Sequence, residues 1–186
     1  MSTEGRLRPA VFLDRDGVLN RVVMRDGKAA SPRAVEELEI EPDAPATLAT
    51  LKDAGYLLLV VTNQPDVRRG LMSGEVLRAL HRRLAEALPV DDIAACLHDN
   101  ADGCDCRKPK PGLVLALAAR HGVDLGRSWL IGDQDRDIMC GKAAGCRTIL
   151  LGREYNSGKN SGADKVVARL SQSISTILQA PQGALR

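Results

Sequence analysis

The sequence predicts an α/β protein: a parallel sheet in a three-layer arrangement, covered by helices on both faces. Three observations predict it. Short aliphatic runs alternate with helical stretches along the chain, three of the helices close on glycine, and several runs are apolar throughout rather than alternating. A strand that is apolar on both sides is one buried on both sides, as in a parallel sheet.

The first run, Ala10 to Asp14, reads as a buried strand that breaks at Asp14-Arg15-Asp16-Gly17. Residues 1–9 read as a loose leader. Arg21–Glu41, with scattered charges, Gly27 and Pro32, reads as one long loop over the end of the sheet. After Pro42, Ala44, Leu48 and Leu51 form a helical stripe that stops at Gly55. The run Tyr56 to Thr62 is the second strand, leading into Asn63-Gln64-Pro65. A helix from Ser73 to Leu88 follows, with Val76, Leu80, Leu84 and Leu88 on one side. Ile93 to Cys96 is the third strand. Beyond a cysteine-rich loop, Pro111 opens a helix carrying Leu113 and Leu117 and closed by Gly122. Trp129 to Ile131 is the fourth strand, ending in Gly132-Asp133. A helix from Asp135 to Ala144 is capped by Gly145, and Thr148 to Leu151 is the fifth strand. A Gly/Asn/Ser/Lys-rich loop, a short strand Lys165 to Val167 and a helix from Ala168 to Leu178 complete the pattern, with residues 180–186 as a loose tail. The whole reads as a single Rossmann-like domain over 1–186.

Composition narrows the function. Net charge is +2 with basic residues spread along the chain, and aromatics are 2% of residues. Neither suits a nucleic-acid-binding surface, which needs a basic face and often stacking rings. No apolar run is long enough for a membrane span, and the polar start lacks a signal-peptide core, so a cytoplasmic protein is expected. In that reducing compartment five cysteines are thiols or metal ligands rather than disulfides.

Ligands of such a sheet bind beyond the carboxyl ends of the strands. Polar groups gather there: Asp14 and Asp16, Thr62 and Asn63, Asp133, and Arg107-Lys108 after the third strand. Two carboxylates set two apart at a strand end need a cation, a shared proton or solvent. Carboxylates, a hydroxyl, an amide and a lysine around one point suit phosphoryl transfer with Mg²⁺. Separately, Cys96-x-His98 and Cys104-x-Cys106 place four N/S ligands in eleven residues, a set suited to a closed, structural Zn²⁺ site. Such a clip, ending two residues before Lys108, would fix Arg107 and Lys108. Cys140 and Cys146 lie outside it and read as small buried hydrophobes.

Asp14-Arg15-Asp16-Gly17, Thr62-Asn63, Lys108 and Gly132-Asp133-x-x-x-Asp137 follow one another as in the haloacid dehalogenase superfamily of phosphatases, which residues 10–155 resemble. The resemblance implies that Asp14 attacks phosphorus and Asp16 serves as acid and then base. It implies that Mg²⁺ is held by Asp14, the backbone carbonyl of Asp16 and Asp133, and that Thr62, Asn63 and Lys108 meet the phosphate. Asp137 is expected to support the metal from behind or to cap a helix. The Cys-x-His…Cys-x-Cys-Arg-Lys-Pro run resembles the branch holding heptose bisphosphate and histidinol-phosphate phosphatases, which lack a large cap domain. Here too the chain offers no room for a cap, so specificity would rest on the loops Arg21–Glu41, Gln64–Gly70 and Leu97–Pro111. The resemblance implies a small phosphorylated sugar as substrate, with Asn20, Arg69 and Arg107 as contacts. A monomer is expected. Two alternatives stay open: histidinol phosphate as substrate, and a receiver-like module phosphorylated on aspartate.

Overall fold

The computed structural model describes residues 7–156 and 162–180. Most of the expected leader, the centre of the Gly/Asn/Ser/Lys-rich loop and nearly all of the tail lie outside the described residues. In chain order the elements are β1 (Ala10–Leu13), β2 (Val23–Arg25), β3 (Lys28–Ala30), α1 (Ala44–Asp53), β4 (Leu57–Asn63), α2 (Gly74–Ala87) and β5 (Asp92–Cys96). Then come α3 (Gly112–His121), β6 (Trp129–Gly132), α4 (Asp135–Ala144), β7 (Arg147–Leu151), β8 (Lys165–Val167) and α5 (Ser173–Leu178).

Six strands form one parallel sheet in the order β5-β4-β1-β6-β7-β8. The alternation of side chains splits its core in two. Val11 and Leu13 of β1 pack with Leu48 and Leu51 of α1 and Leu84 of α2. Ala10 and Phe12 face the other way, onto Leu113 and Leu117 of α3 and Cys140 of α4. Chain order runs outward from β1 through β4 to β5, then returns to β6 on the other side. That reversal opens a crevice at the carboxyl end of β1, where ligands bind in sheets of this kind.

Two segments depart from expectation. The stretch 21–41 is not one irregular loop: β2 and β3 pair as an antiparallel hairpin, followed by a short helical turn at Val35–Glu37. Asp26 and Gly27 at its tip both have positive φ, 49° and 72°. Asp-Gly in that conformation makes the tight turn whose twist matches a hairpin. The last helix begins at Ser173 rather than near 168, because Leu170–Gln172 forms a separate short turn. The remaining helices fall where their stripes and caps put them; α2, for example, opens on Ser73, whose hydroxyl accepts from the Val76 N–H at 3.1 Å. Neither 14–43 nor 64–73 builds a cap domain. Among the described residues no helix is long and apolar enough to cross a membrane.

Candidate active site

The chain leaves β1 at Asp14, whose N–H donates to the carbonyl of Ile131 on the neighbouring strand, at 2.9 Å. The Asp14 Oδ1 atom accepts from the Arg15 N–H at 2.7 Å and faces the Lys108 ammonium at 2.9 Å. No hydrogen bond or ion pair reaches Asp14 Oδ2 among the described residues.

Lys108 is fully buried, and its Nζ meets three acceptors: the Val61 carbonyl at 2.9 Å, Asp14 at 2.9 Å and Asp137 at 2.7 Å. The contact to the Val61 carbonyl is a hydrogen bond, and those to the two carboxylates are ion pairs. Burial works against its charge, but the two carboxylates outweigh that and hold it above the usual lysine range. Asn63 clamps the same residue from the backbone side: its amide donates to the Lys108 carbonyl and accepts from the Lys108 N–H, both at 3.1 Å.

Asp14, Asp133 and Asp137 bring carboxylate oxygens within 4.8 Å of one another, all buried. One lysine cannot balance three such groups. Burial, and then Asp137, raise Asp14 to about 7, and burial with Asp137 raises Asp133 as well. A buried oxygen cluster with surplus negative charge is the donor set a hard divalent cation takes, so the residues fit Mg²⁺. Asp133 is also firmly held. Tyr155 donates to its Oδ2 at 2.6 Å, and the Asn156 amide donates to its carbonyl at 2.6 Å. Gly17 packs beneath it at φ 83°, where an added Cβ would lie 2.4 Å from Asp133 Oδ2. Asp137 caps the start of α4, its Oδ2 accepting from the Gln134 N–H at 3.0 Å, while its Oδ1 pairs with Lys108.

Asp16 belongs to a different network. Arg15, buried completely, forks onto it with Nε at 3.0 Å and NH2 at 3.1 Å. Asn20, Ser31 and Gln64 donate at 3.0, 2.7 and 2.8 Å. Burial alone would raise the carboxyl; Arg15 and these donors overcome that and hold it below the usual range. The repulsion anticipated between Asp14 and Asp16 is thus resolved by the residue between them. Off the strand, Arg15 no longer points away from Asp16.

Thr62 is buried beside the cleft, its Oγ1 accepting from Gln64 at 2.8 Å. Asn20 lies buried behind Asp16. Arg69 borders the cleft, its guanidinium forked onto Asp99 at 2.5 and 2.8 Å. Arg107 also borders it, donating to Asn100 Oδ1 at 2.7 Å and to the His98 carbonyl at 3.0 Å. The cleft is about 710 Å³ in volume.

Beside it, Cys96, His98, Cys104 and Cys106 converge. Their Sγ–Sγ separations are 3.1, 3.5 and 3.7 Å, and His98 Nδ1 lies 3.3 and 3.6 Å from two sulfurs. A tetrahedral Zn²⁺ with bonds of about 2.3 Å to sulfur and about 2.0 Å to nitrogen has edges of roughly 3.5–3.8 Å. The set fits zinc. Cys140 and Cys146 are buried away from it, their thiols pushed up by burial to about 11 and about 12.

Sequence reasoning missed Arg15, Ser31, Gln64 and Tyr155. Gln64 had a signal, since two residues beyond Thr62 on the same line it faces the same side. Ser31 and Tyr155 come from irregular segments where no period applies.

Residues 105–172 match the family model "HAD-hyrolase-like". The chain is 37% identical over 149 residues to a D-glycero-beta-D-manno-heptose-1,7-bisphosphate 7-phosphatase of Pseudomonas aeruginosa, spanning 77% of this chain and 81% of that one. Its counterpart in Rhodopseudomonas palustris is 38% identical over 158 residues, spanning 78% and 84%. Among solved structures, the D,D-heptose 1,7-bisphosphate phosphatase of B. bronchiseptica, complexed with magnesium and phosphate, superposes with a TM-score of 0.78 at 32% identity, covering 92% of this chain and 98% of that one. At that identity and coverage the chain belongs to the heptose 1,7-bisphosphate 7-phosphatase family of haloacid dehalogenase-like hydrolases.

Proposed function

We propose that the protein is a Mg²⁺-dependent phosphomonoesterase that removes the C7 phosphate of D-glycero-D-manno-heptose 1,7-bisphosphate through an aspartyl-phosphate on Asp14. The observation that carries this is the asymmetry of the Asp14 carboxylate. One oxygen is pinned by the Arg15 N–H and Lys108, and the other is open at the switch point of the sheet. A pinned carboxylate with one free oxygen is an oriented nucleophile.

Asp14, the Asp16 carbonyl and Asp133 would hold Mg²⁺, with Tyr155 and Asn156 fixing Asp133. When bound, the ion screens the anionic nucleophile from the anionic phosphate. Asp14 Oδ2 then forms a bond to phosphorus as the bond from phosphorus to the sugar oxygen breaks. Asp16 supplies the proton that oxygen takes and later removes one from the hydrolytic water. The Arg15 fork keeps Asp16 ionised at rest, which suits the second task. For the first, the arriving phosphate dianion raises its proton affinity, since like charges disfavour a second anion nearby. Thr62 and Asn63 line the cleft, where they would meet the phosphate, while Lys108 would orient Asp14 and neutralise it. Zn²⁺ on Cys96, His98, Cys104 and Cys106 would be structural, fixing the loop that leads into Arg107 and Lys108.

The 7-phosphatase names of the relatives favour the heptose over histidinol phosphate. They also weigh against a receiver-like module, as does the supply of both Asp14 and Asp16 by one strand end. The test is phosphate release with Mg²⁺ from heptose 1,7-bisphosphate and from histidinol phosphate, side by side. A large kcat/KM preference for the bisphosphate is expected; a preference for histidinol phosphate would overturn the substrate and leave the catalytic roles standing.

A further inference from the structure

We infer that Ser31 is a positioning residue for the acid–base steps: its hydroxyl, presented by the segment that follows β3, aims the Asp16 carboxyl into the cleft and stays with it as the proton comes and goes. The inference rests on the proposed role of Asp16 and adds a residue to it.

Five donor groups converge on Asp16. Arg15 Nε and Asn20 Nδ2 donate to Oδ1, both at 3.0 Å. Arg15 NH2, Gln64 Nε2 and the Ser31 hydroxyl donate to Oδ2 at 3.1, 2.8 and 2.7 Å. Ser31 makes the shortest of these bonds. Arg15, Asn20 and Gln64 are wholly buried, and among the described residues Ser31 is the one of these partners that borders the cleft beside Asp16. A substrate therefore meets Asp16 on the side from which Ser31 holds it.

The hydroxyl also differs in chemistry. An ionised carboxylate offers about four lone-pair positions, so five donors leave none open. A proton on Asp16 needs one of those positions. Guanidinium and amide N–H groups only donate, whereas a hydroxyl turns about its C–O bond and accepts instead. Gln64 could do so only by turning its whole amide over inside the protein. Ser31 is the partner that makes room for the proton without letting go of the carboxyl.

The segment is built to present it. Pro32 is buried and confines Ser31 to extended backbone. The Ser31 carbonyl accepts from Arg25 NH1 at 2.7 Å, and Arg25 NH2 pairs with Glu37 at 2.6 Å. The Glu37 carboxylate also accepts from the Arg33 N–H at 2.7 Å. These bonds hold β2, Ser31 and the turn at Val35–Glu37 as one unit, which aims the hydroxyl.

In the first step a proton moves from Asp16 to the leaving oxygen as the bond from that oxygen to phosphorus breaks. A badly aimed acid therefore costs most when that oxygen is basic. The experiment measures kcat/KM, which covers binding and this step but not the later attack of water. The substrates are heptose 1,7-bisphosphate, phenyl phosphate and 4-nitrophenyl phosphate, with Mg²⁺, on wild type, Ser31→Ala and Ser31→Thr. An unchanged Tm shows that the variants fold. Ser31→Ala is expected to lose about tenfold or more on the heptose, the scale of one hydrogen bond to a charged group. The loss should be smaller on phenyl phosphate and smallest on 4-nitrophenyl phosphate, whose leaving oxygen is the least basic. Ser31→Thr keeps the hydroxyl and should recover most of it. An equal loss on all three substrates, no loss on any, or a threonine variant no better than the alanine one would overturn the assignment. If wild type hydrolyses the aryl phosphates but not the heptose, the substrate reading fails, and the trend between the two aryl esters still decides the role of Ser31. If it hydrolyses none of them, the phosphatase reading falls and the role of Ser31 with it.

Discussion

Replacing Asp14 by asparagine should make the Mg²⁺-free protein more stable relative to wild type as pH rises, although it removes the proposed nucleophile. Asparagine keeps the shape and the acceptor oxygen for Arg15 N–H and Lys108, so the change is mainly one of charge. In the fold, burial and Asp137 lift the Asp14 carboxyl from an ordinary value of 3.8 to about 7. A group raised in the folded state stabilises fully below its unfolded pKa, and that contribution is lost as pH climbs through the folded value. Between pH 5.5 and 7 the folded protein retains a proton that the unfolded chain has released, which costs wild type about 1.4 kcal/mol per pH unit. Over that window the total is about 2 kcal/mol, or about 4–8 °C in Tm for a chain of this size. The assay is thermal unfolding of both proteins at a series of pH values in Mg²⁺-free buffer, with zinc retained. The gap between variant and wild type should widen upward by that amount and then level off above pH 7. Saturating Mg²⁺ should raise wild-type Tm most on the alkaline side, because the ion binds the ionised cluster. Parallel curves for the two proteins from pH 5.5 to 8 would refute the reasoning, since they would mean that burial and Asp137 do not raise the Asp14 carboxyl.

Other expectations follow from the same geometry. Tyr155→Phe removes the 2.6 Å hydrogen bond to Asp133 and should raise the Kd for Mg²⁺ about tenfold, measured by calorimetry on the substrate-free protein; an unchanged Kd would show that Asp133 needs no such support. Cys104→Ser breaks the proposed zinc set and should cost about 4 kcal/mol, or about 8–16 °C in Tm. It should reduce kcat as well, because Arg107 and Lys108 follow directly on the loop. Full activity at normal Tm without zinc would remove the metal from the account.

The sheet was legible because its strands are apolar on both faces and end abruptly in polar residues. Leu57 to Val61 could be little else, and Asp14, Thr62 and Asp133 stand where such runs stop. Register and order then bring together groups far apart in sequence, and here local pattern ran out. Nothing near Asp137 reveals that Lys108 will be its partner, since that ion pair depends on β4, β6 and α4 all meeting beside β1. The hairpin was misread for a different reason. Each of its strands is three residues long, too short for a period, though Asp26-Gly27 carries the turn signal plainly. Asp16 shows a different limit. Two carboxylates two apart left a cation, a shared proton or solvent open as the compensating partner; the chain bends off the strand at Asp14, and Arg15 folds back onto Asp16. Strand alternation, applied one residue too far, hid a buried ion pair.

Asp14 as the covalent nucleophile is the claim on which the rest depends. Asp16→Asn should slow transfer of the phosphoryl group, whose leaving oxygen lacks its acid, and should slow by about a hundredfold or more the attack of water that removes the group again. Mixed with Mg²⁺ and heptose bisphosphate and quenched in acid, this variant should gain the mass of one phosphoryl group, on the peptide that contains Asp14. Turnover by Asp16→Asn with no protein-bound phosphate, or phosphate carried on any other residue, would contradict the mechanism.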